Sequence, residues 1–238
     1  MLSQNLMVHS LWIGDRLSLM EQLTLCSFVR CGHRFTLWVY GPLKSEVPQG
    51  VELRDAAEIV PRERVFCYQA GPWKGSYAGF SDLFRYKLLY DLGGWWSDMD
   101  VACLKPLDFD SWYAFHPHSD LGLVGSVLKA PPKSDLMRRC AVWTAENVDA
   151  WNIVWTKPIR ILVAEVGRLG LGRYVLPSEA ALVNWRDGEQ YAKTAVPPSP
   201  GLRVLHWCNE WLKSQHFDKD GPIPGTTYHA LLEAHGLR

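Results

Sequence analysis

Two carboxylates flank one residue in the stretch 95–100, where Asp98 and Asp100 follow two tryptophans and a serine. The aromatic and apolar residues around them predict a strand that starts at Trp95 and carries on to Leu104. Alternation along a strand would place both carboxylates on one face, roughly 7 Å apart. Such a pair of hard oxygen donors can bind a divalent cation that bridges to a diphosphate. A lone Asp-x-Asp is more typical of a solvated turn, so its neighbours matter.

A charged pair precedes these carboxylates on a predicted helix that begins at 76 or 78 and ends at Leu92. Apolar side chains occur on nearly every side of this helix, which indicates that it is buried. Asp82 and Arg85 are three residues apart and therefore lie on neighbouring faces of one turn. They form either a structural ion pair or a site for a ligand, because a buried charge needs a partner.

The rest of the chain predicts an α/β fold in a single domain, with a mostly parallel sheet flanked by helices. The first helix should be capped by Ser18 with Glu21 completing a capping box. Ligands of open parallel sheets bind at the carboxyl ends of the strands, which is where Asp98 and Asp100 are expected. The predicted strands are 7–13, 35–40, 51–53, 95–104, 112–115, 121–128 and 175–176, and the other main helices are 18–30, 134–147, 158–169 and a short one from 227.

Composition excludes several classes of protein. The 238 residues include 25 basic and 25 acidic side chains, so no basic excess favours a nucleic-acid binder. An apolar content of 47% argues against disorder, and 12 tryptophans indicate an aromatic core or a surface that stacks on bases and sugars. The six cysteines form no Cys-x-x-Cys pair. Without a signal peptide or a long apolar run, we expect free thiols and a cytoplasmic location.

One spacing resembles the sugar-binding region of the Asp-x-Asp glycosyltransferases, the superfamily of the yeast initiating mannosyltransferases, the α-1,4-glycosyltransferases and the large clostridial glucosylating toxins. The resemblance is close over about residues 77–108. A looser likeness covers 9–14 and a His-x-Trp-Asn-like element at 206–209. The residues that carry it are Ser81-Asp82-x-x-Arg85-x-x-x-Leu89-x-x-x-Gly93-Gly94-x-Trp96-x-Asp98-x-Asp100.

The resemblance implies a GT-A-like fold, Rossmann-like, that holds Mn²⁺ or Mg²⁺ against the diphosphate of a UDP-sugar. Residues of about 1–108 would then bind the nucleotide sugar, and those of about 109–238 the acceptor. It assigns the metal to Asp100 directly and to Asp98 through water. Asp98 would also contact the sugar or ribose. The other implied nucleotide-sugar contacts are Trp12 beside uracil, Ser81, Asp82 and Arg85 at the sugar and diphosphate, and Trp96 flanking the nucleotide.

Residues near the C-terminus are further candidates. The resemblance places His206 or Asn209 as a metal or phosphate ligand, with Glu210 as an alternative base. His116 and His118 have the spacing of a metal pair, although surface histidines would show the same pattern.

The predicted enzyme is a metal-dependent, retaining glycosyltransferase, with Asp82, Arg85 and Asp100 as its catalytic residues. Its expected acceptor is a glycan or lipid-linked glycan of bacterial polysaccharide biosynthesis, reached at the inner face of the membrane. A protein acceptor, as in effector toxins, is one alternative. A nucleotide-sugar hydrolase and a non-catalytic carbohydrate-binding module are the others, and the sequence leaves the oligomeric state open.

Overall fold

Strands and helices alternate along the computed structural model, which describes residues 6–237. The strands are β1 (Met7–Trp12), β2 (Arg34–Val39), β3 (Val51–Asp55), β4 (Gly94–Ser97), β5 (Val101–Cys103), β6 (Ala114–His118), β7 (Gly122–Ala130) and β8 (Val204–His206). The α-helices are α1 (Leu19–Arg30), α2 (Ala78–Leu92), α3 (Asp135–Asn147), α4 (Lys157–Arg168), α5 (Trp185–Lys193), α6 (Asn209–Ser214) and α7 (Thr227–Ala234).

Six strands form one sheet in the order β3-β2-β1-β4-β7-β6. The first four are parallel, whereas β7 is antiparallel to β4 and β6 is antiparallel to β7. The carboxyl ends of β1 and β4 therefore meet at one edge of the sheet. A second, two-stranded antiparallel sheet joins β5 to β8. The predicted α/β fold with a mostly parallel sheet is confirmed.

Helix α1 begins where its capping residues predict. The Ser18 side chain accepts a hydrogen bond from the Met20 backbone, and the Ser18 backbone donates to the Glu21 carboxylate at 2.7 Å. Two backbone donors at the helix start are satisfied in this way. The capping box fixes the N-terminus of α1 beside the carboxyl end of β1.

Helix α2 is buried along most of its length and ends at a glycine that no other residue could replace without strain. Gly93 has φ +68° and ψ −162°, and a Cβ there would lie 2.5 Å from the Pro132 ring. The chain turns directly into β4 because glycine adopts positive φ at no steric cost. This short connection fixes Asp82 and Arg85 of α2 relative to the end of β4.

Three sequence predictions need correction. The predicted strand 95–104 is broken: β4 ends at Ser97, and the chain turns through Asp100 before β5 starts in the other sheet. The strand predicted from Trp112 begins two residues later, and Trp112 is exposed. The predicted strand 175–176 is reduced to one isolated bridge between Val175 and Phe115.

The sequence pattern also missed α5, whose residues are mostly polar. Its N-cap is Asn184, whose side chain accepts from the Arg186 backbone. Between residues 6 and 237, no helix is both long and apolar enough to cross a bilayer.

Candidate active site

The turn between β4 and β5 brings the two predicted carboxylates together. The Asp98 backbone still donates to Ser126 of β7 at 2.8 Å, which continues the large sheet by one residue. The carbonyl of Met99 then accepts from Thr24 of α1 at 2.8 Å. These two hydrogen bonds hold the turn at residues 99–100, and the turn brings Asp98 and Asp100 together. The predicted cause, strand alternation, was wrong, although the predicted proximity holds.

His206 joins the two carboxylates from the other end of the sequence. Strand β8 pairs with β5 so that His206 lies opposite Val101, the residue that follows Asp100. The His206 Nε2 atom lies 3.4 Å from Asp100 Oδ1. One ligand atom each of Asp98, Asp100 and His206 lies within 4.8 Å of the others. This cluster, called the DDH cluster below, has the donor set of a divalent-metal site.

Asn209 approaches the same carboxylate through its backbone. Its N–H donates to Asp100 Oδ2 at 2.7 Å. Its side-chain Oδ1 is buried and has no hydrogen-bond partner among the described residues. A buried, unsatisfied oxygen is costly unless a ligand or cation completes it. Asn209 therefore offers a fourth donor atom, its amide oxygen, next to the DDH cluster.

The remaining ring nitrogen of His206 faces a cysteine. The Cys208 Sγ atom lies 3.5 Å from His206 Nδ1, and Cys208 has a left-handed backbone with φ +55°. This conformation folds the chain back so that residues 206 and 208 can touch. Cys208 fixes the orientation of the imidazole whose other nitrogen belongs to the DDH cluster.

Arg85 links α2 to the DDH cluster. Its guanidinium lies 2.9 Å from Asp98 Oδ1 and 3.4 Å from Asp82 Oδ1, and Arg85 and Asp82 are both buried. The Arg85 Nη2 atom also donates to Ser81 Oγ at 3.3 Å. The ion pair that the sequence offered as one alternative is therefore present, and Arg85 also reaches the Asp-x-Asp carboxylate Asp98.

Trp96 differs from its expected place beside a nucleotide. Its side chain is only 1% exposed, so it cannot present a face to a ligand. Its indole N–H donates to Asp98 Oδ1 at 2.8 Å, and the Arg85 guanidinium covers its ring at 5.1 Å from the centroid. Trp96 instead supports Asp98 and Arg85 from beneath.

Charges in the site shift the ionisation of its carboxyl groups. Burial raises the pKa of Asp82 to about 6 despite the Arg85 cation, and burial also raises the pKa of Asp98. Burial acts in the same direction on Asp100, but the neighbouring His206 imidazolium and the Asn209 N–H outweigh it and lower the pKa of Asp100 to about 2. Asp100 is therefore the carboxylate held most firmly in its charged form.

A cleft of about 700 Å³ opens at the carboxyl end of β1. Trp12 lines it as the resemblance implies, and its indole N–H donates to the Arg16 carbonyl at 3.0 Å. Lys219 lines the cleft as well and pairs with the buried Glu21 at 2.6 Å. Its positive charge helps to lower the pKa of Asp100.

Sequence reasoning missed Lys219 and Glu21. The two residues are 198 positions apart in the sequence and meet only in the folded chain. No local pattern marks either residue, because Glu21 serves the capping box and Lys219 lies in a polar loop. A buried acid in an otherwise apolar helix was the one available signal.

Three further candidates are not placed as the sequence suggested, although the His116 ring packs against the His206 ring with centroids 6.0 Å apart. His116 is buried, and its ring nitrogens contact the Leu182 carbonyl and Ser126 Oγ, so it is neither a surface histidine nor half of a metal pair. His118 accepts from backbone N–H groups of its own turn. Glu210 is partly exposed and pairs with Lys213 at 2.7 Å, which does not favour a role as a base.

Comparisons with known proteins agree with this geometry. Residues 35–119, just over a third of the chain, match the family model described as "Glycosyltransferase sugar-binding region containing DXD motif". No curated protein matches the sequence. Among solved structures, the chain is similar to "PaToxG Glycosyltransferase", with a TM-score of 0.53 at 12% identity over 70% of this chain and 69% of that one. A cysteine-to-serine transferase mutant gives a TM-score of 0.45 at 11% identity, over 70% and 85% of the two chains.

The matched segment contains Asp82, Arg85, Asp98 and Asp100, the residues that carried the resemblance. The structural match independently gives the same fold. The predicted fold class and enzyme class are both confirmed. Residues 35–119 match a DXD glycosyltransferase sugar-binding region, and this match together with the fold supports a glycosyltransferase.

Proposed function

We propose that the protein transfers a sugar from a UDP-sugar in a reaction that depends on Mn²⁺, with Mg²⁺ as the alternative ion. One observation carries the proposal: the DDH cluster places three ligand atoms within 4.8 Å of one another. Trp12 and Lys219 line the cleft at the carboxyl end of β1, and the charge of Lys219 acts on Asp100, so we propose that the nucleotide lies in this cleft.

The side chains present fit a divalent metal ion. Asp98 and Asp100 supply carboxylate oxygens, His206 supplies a nitrogen, and Asn209 supplies the buried oxygen that has no other partner. A mixed set with an imidazole favours Mn²⁺ over Mg²⁺, which prefers oxygen alone. When bound, the ion would neutralise charge that develops on the leaving diphosphate.

The cleft would hold the nucleotide. Trp12 offers an aromatic surface for the uracil, and Lys219 offers a cation for the phosphates. The sugar would lie near Asp82 and Arg85, where Ser81 also contributes a hydroxyl.

Arg85 has two roles in this proposal. It orients Asp98 through their ion pair, and its charge stabilises the negative charge that develops on the leaving group. Asp82 is held by Arg85 in a buried pair and is not a free nucleophile. We propose that the reaction retains the configuration of the donor sugar, as the resemblance implies, and that it passes through no covalent intermediate on Asp82. Proton NMR of the product anomer tests this point.

We propose a glycan or lipid-linked glycan of bacterial polysaccharide biosynthesis as the acceptor, at the inner membrane face. The nucleotide-sugar half would span about 1–108 and the acceptor half about 109–238, although the second half also supplies His206 and Lys219 to the donor site. A protein acceptor, hydrolysis by water and simple glycan binding are the competing outcomes of product analysis.

The decisive experiment compares Asp100→Asn with wild type by titration calorimetry of UDP with and without Mn²⁺. We expect wild type to bind UDP only weakly without Mn²⁺ and the variant to lose the Mn²⁺-dependent part, because its best-charged ligand is gone. Asp120→Asn, an exposed carboxylate outside the site, is the matched control. Equal Mn²⁺-dependent affinity in both variants would remove the metal from the proposal.

A further inference from the structure

Two cysteines lie near each other at the end of β5 that is farther from Asp100. Cys31 ends α1 as its C-cap, and Cys103 is the last residue of β5. The Cys31 thiol donates to the Cys103 carbonyl at 3.5 Å, the Cys103 thiol donates to the Lys105 carbonyl at 3.2 Å, and the two thiols are close enough to shift each other's pKa. All six cysteines lie within residues 6–237. Among them, Cys31 and Cys103 are the pair whose thiols act on each other.

One serine holds both cysteines in place. The Cys31 backbone donates to the Ser27 carbonyl at 3.0 Å, and the Cys103 backbone donates to the Ser27 hydroxyl at 2.9 Å. The two positions belong to different elements but share one anchor. Their approach is therefore built into the packing of α1 against β5.

The two thiols differ in the way that a reactive and a resolving cysteine differ. Cys31 is half-buried, and the Cys103 contact together with Arg30 lowers its pKa. Cys103 is buried, and burial raises the pKa of its thiol well above the ordinary value. Burial also raises the pKa of Cys26 and of Cys140, so the lowered pKa distinguishes Cys31 from these thiols. A half-exposed thiol with thiolate character and a neighbouring second thiol is the arrangement of redox-sensitive pairs.

We propose that Cys31 and Cys103 are a modification site at which a hydroperoxide forms an intramolecular disulfide. The Cys31 sulfur attacks the peroxide; its S–O bond forms, the O–O bond breaks and, for hydrogen peroxide, water leaves. The Cys103 sulfur then attacks the resulting sulfenic acid, so that the S–S bond forms and the S–O bond breaks. A second water leaves with the Cys103 proton. Two thiols are oxidised and one peroxide is reduced.

The bond would join the end of α1 to β5 across a separation of 72 residues. A cross-link of this length restricts the unfolded chain and so stabilises the fold. We expect oxidation to raise the melting temperature by roughly 10 °C. Dithiothreitol should reverse the shift.

The test treats the full chain with hydrogen peroxide and maps tryptic peptides under non-reducing conditions by mass spectrometry. We expect a linked Cys31–Cys103 peptide pair, about 2 Da lighter than the two thiol peptides together. Cys31→Ser should abolish the link and the thermal shift, whereas Cys26→Ser, an equally half-buried cysteine on the same helix, should keep both.

Other results would overturn the proposal. One is Cys31 that ends as sulfinic acid or stays reduced while no 31–103 link forms. Another is a link to a different cysteine. Because Cys31 is half-buried and lies at a helix end, its serine variant should fold, which circular dichroism checks. The proposal does not depend on the sugar-transfer reaction, so its test is independent of UDP binding.

Discussion

At the residue scale, the site depends on side chains that hold other side chains. Asp98 accepts from Trp96 and pairs with Arg85, and His206 is held by Cys208 on one nitrogen and by Asp100 on the other. The metal-binding side chains proposed here, Asp98 and His206, are thus oriented before a metal ion or a nucleotide sugar binds. Such support is what makes a site selective for one geometry.

The indole N–H of Trp96 can be tested by Trp96→Phe. The change removes the hydrogen bond to Asp98 and leaves an aromatic ring beneath Arg85. We expect UDP binding in the presence of Mn²⁺ to weaken by about 1.5 kcal/mol, or roughly tenfold in Kd, by calorimetry. Trp95→Phe is a close control, because the Trp95 N–H has no partner in the structure. Equal losses in both variants would mean that ring packing, and not the hydrogen bond, matters.

Cys208 provides a second test at this scale. Cys208→Ala removes the contact with His206 Nδ1, and we expect Mn²⁺ affinity to fall about tenfold, because an unsupported imidazole is a poorer ligand. Cys208→Ser should recover part of the affinity, since a hydroxyl can still hydrogen-bond the ring. Manganese titration followed by electron paramagnetic resonance measures both variants. Unchanged affinity in Cys208→Ala would assign no positioning role to the sulfur.

At the element scale, the close packing of β7 against α2 keeps Arg85 in position. A Cβ added at Gly125 of β7 would lie 2.3 Å from Arg85 Nη1, so this strand must lack a side chain there. The sequence showed a glycine in a predicted strand, which often marks a close approach of another group. The structure identifies that group as the guanidinium.

Gly125→Ala should therefore displace Arg85 from Asp98. We expect kcat/KM for sugar transfer to fall roughly 100-fold, because small displacements of a positioning group are costly. Gly167→Ala on α4 is the control, since nothing lies within 4 Å of a Cβ there. A Gly125→Ala enzyme with normal kcat/KM would show that Arg85 can move without consequence.

At the scale of the whole molecule, burial of histidine makes folding depend on pH. His9 of β1 is buried beside Trp38 of β2, whose indole N–H donates to His9 Nδ1 at 3.4 Å. Burial and the charge of Arg54 lower the pKa of His9 to about 4, against 6.5 in the unfolded chain. Below pH 6.5 the unfolded chain binds a proton that the folded chain does not bind until pH 4.

Stability should therefore decrease as the pH falls from 6.5 to 4, by about 3 kcal/mol from His9 alone. His9→Gln, which can still accept from Trp38, should lose less stability over this range. Urea unfolding at pH 7, 5.5 and 4 for both proteins measures the difference. Parallel curves would show that other groups dominate the acid response.

The amino-acid sequence alone determined most of the helices, the strands of the parallel sheet and the spacing of Asp82 and Arg85 from the Asp-x-Asp pair. Capping residues fixed the start of α1, a glycine pair fixed the end of α2, and local spacing joined Asp82 and Arg85 to the Asp-x-Asp pair. These features depend on neighbours within about 20 residues, so a linear pattern can contain them.

Only the tertiary structure decided how the site is completed. The turn after Ser97, the pairing of β5 with β8 that brings His206 to Asp100, and the contact of Lys219 with Glu21 all join distant segments. The polarity of α5 hid that helix for the same reason, since its buried face has meaning only against α7 and β8. Contacts between segments that are distant in the sequence produce no local or periodic pattern of residues. They stabilise the protein only when the core has formed.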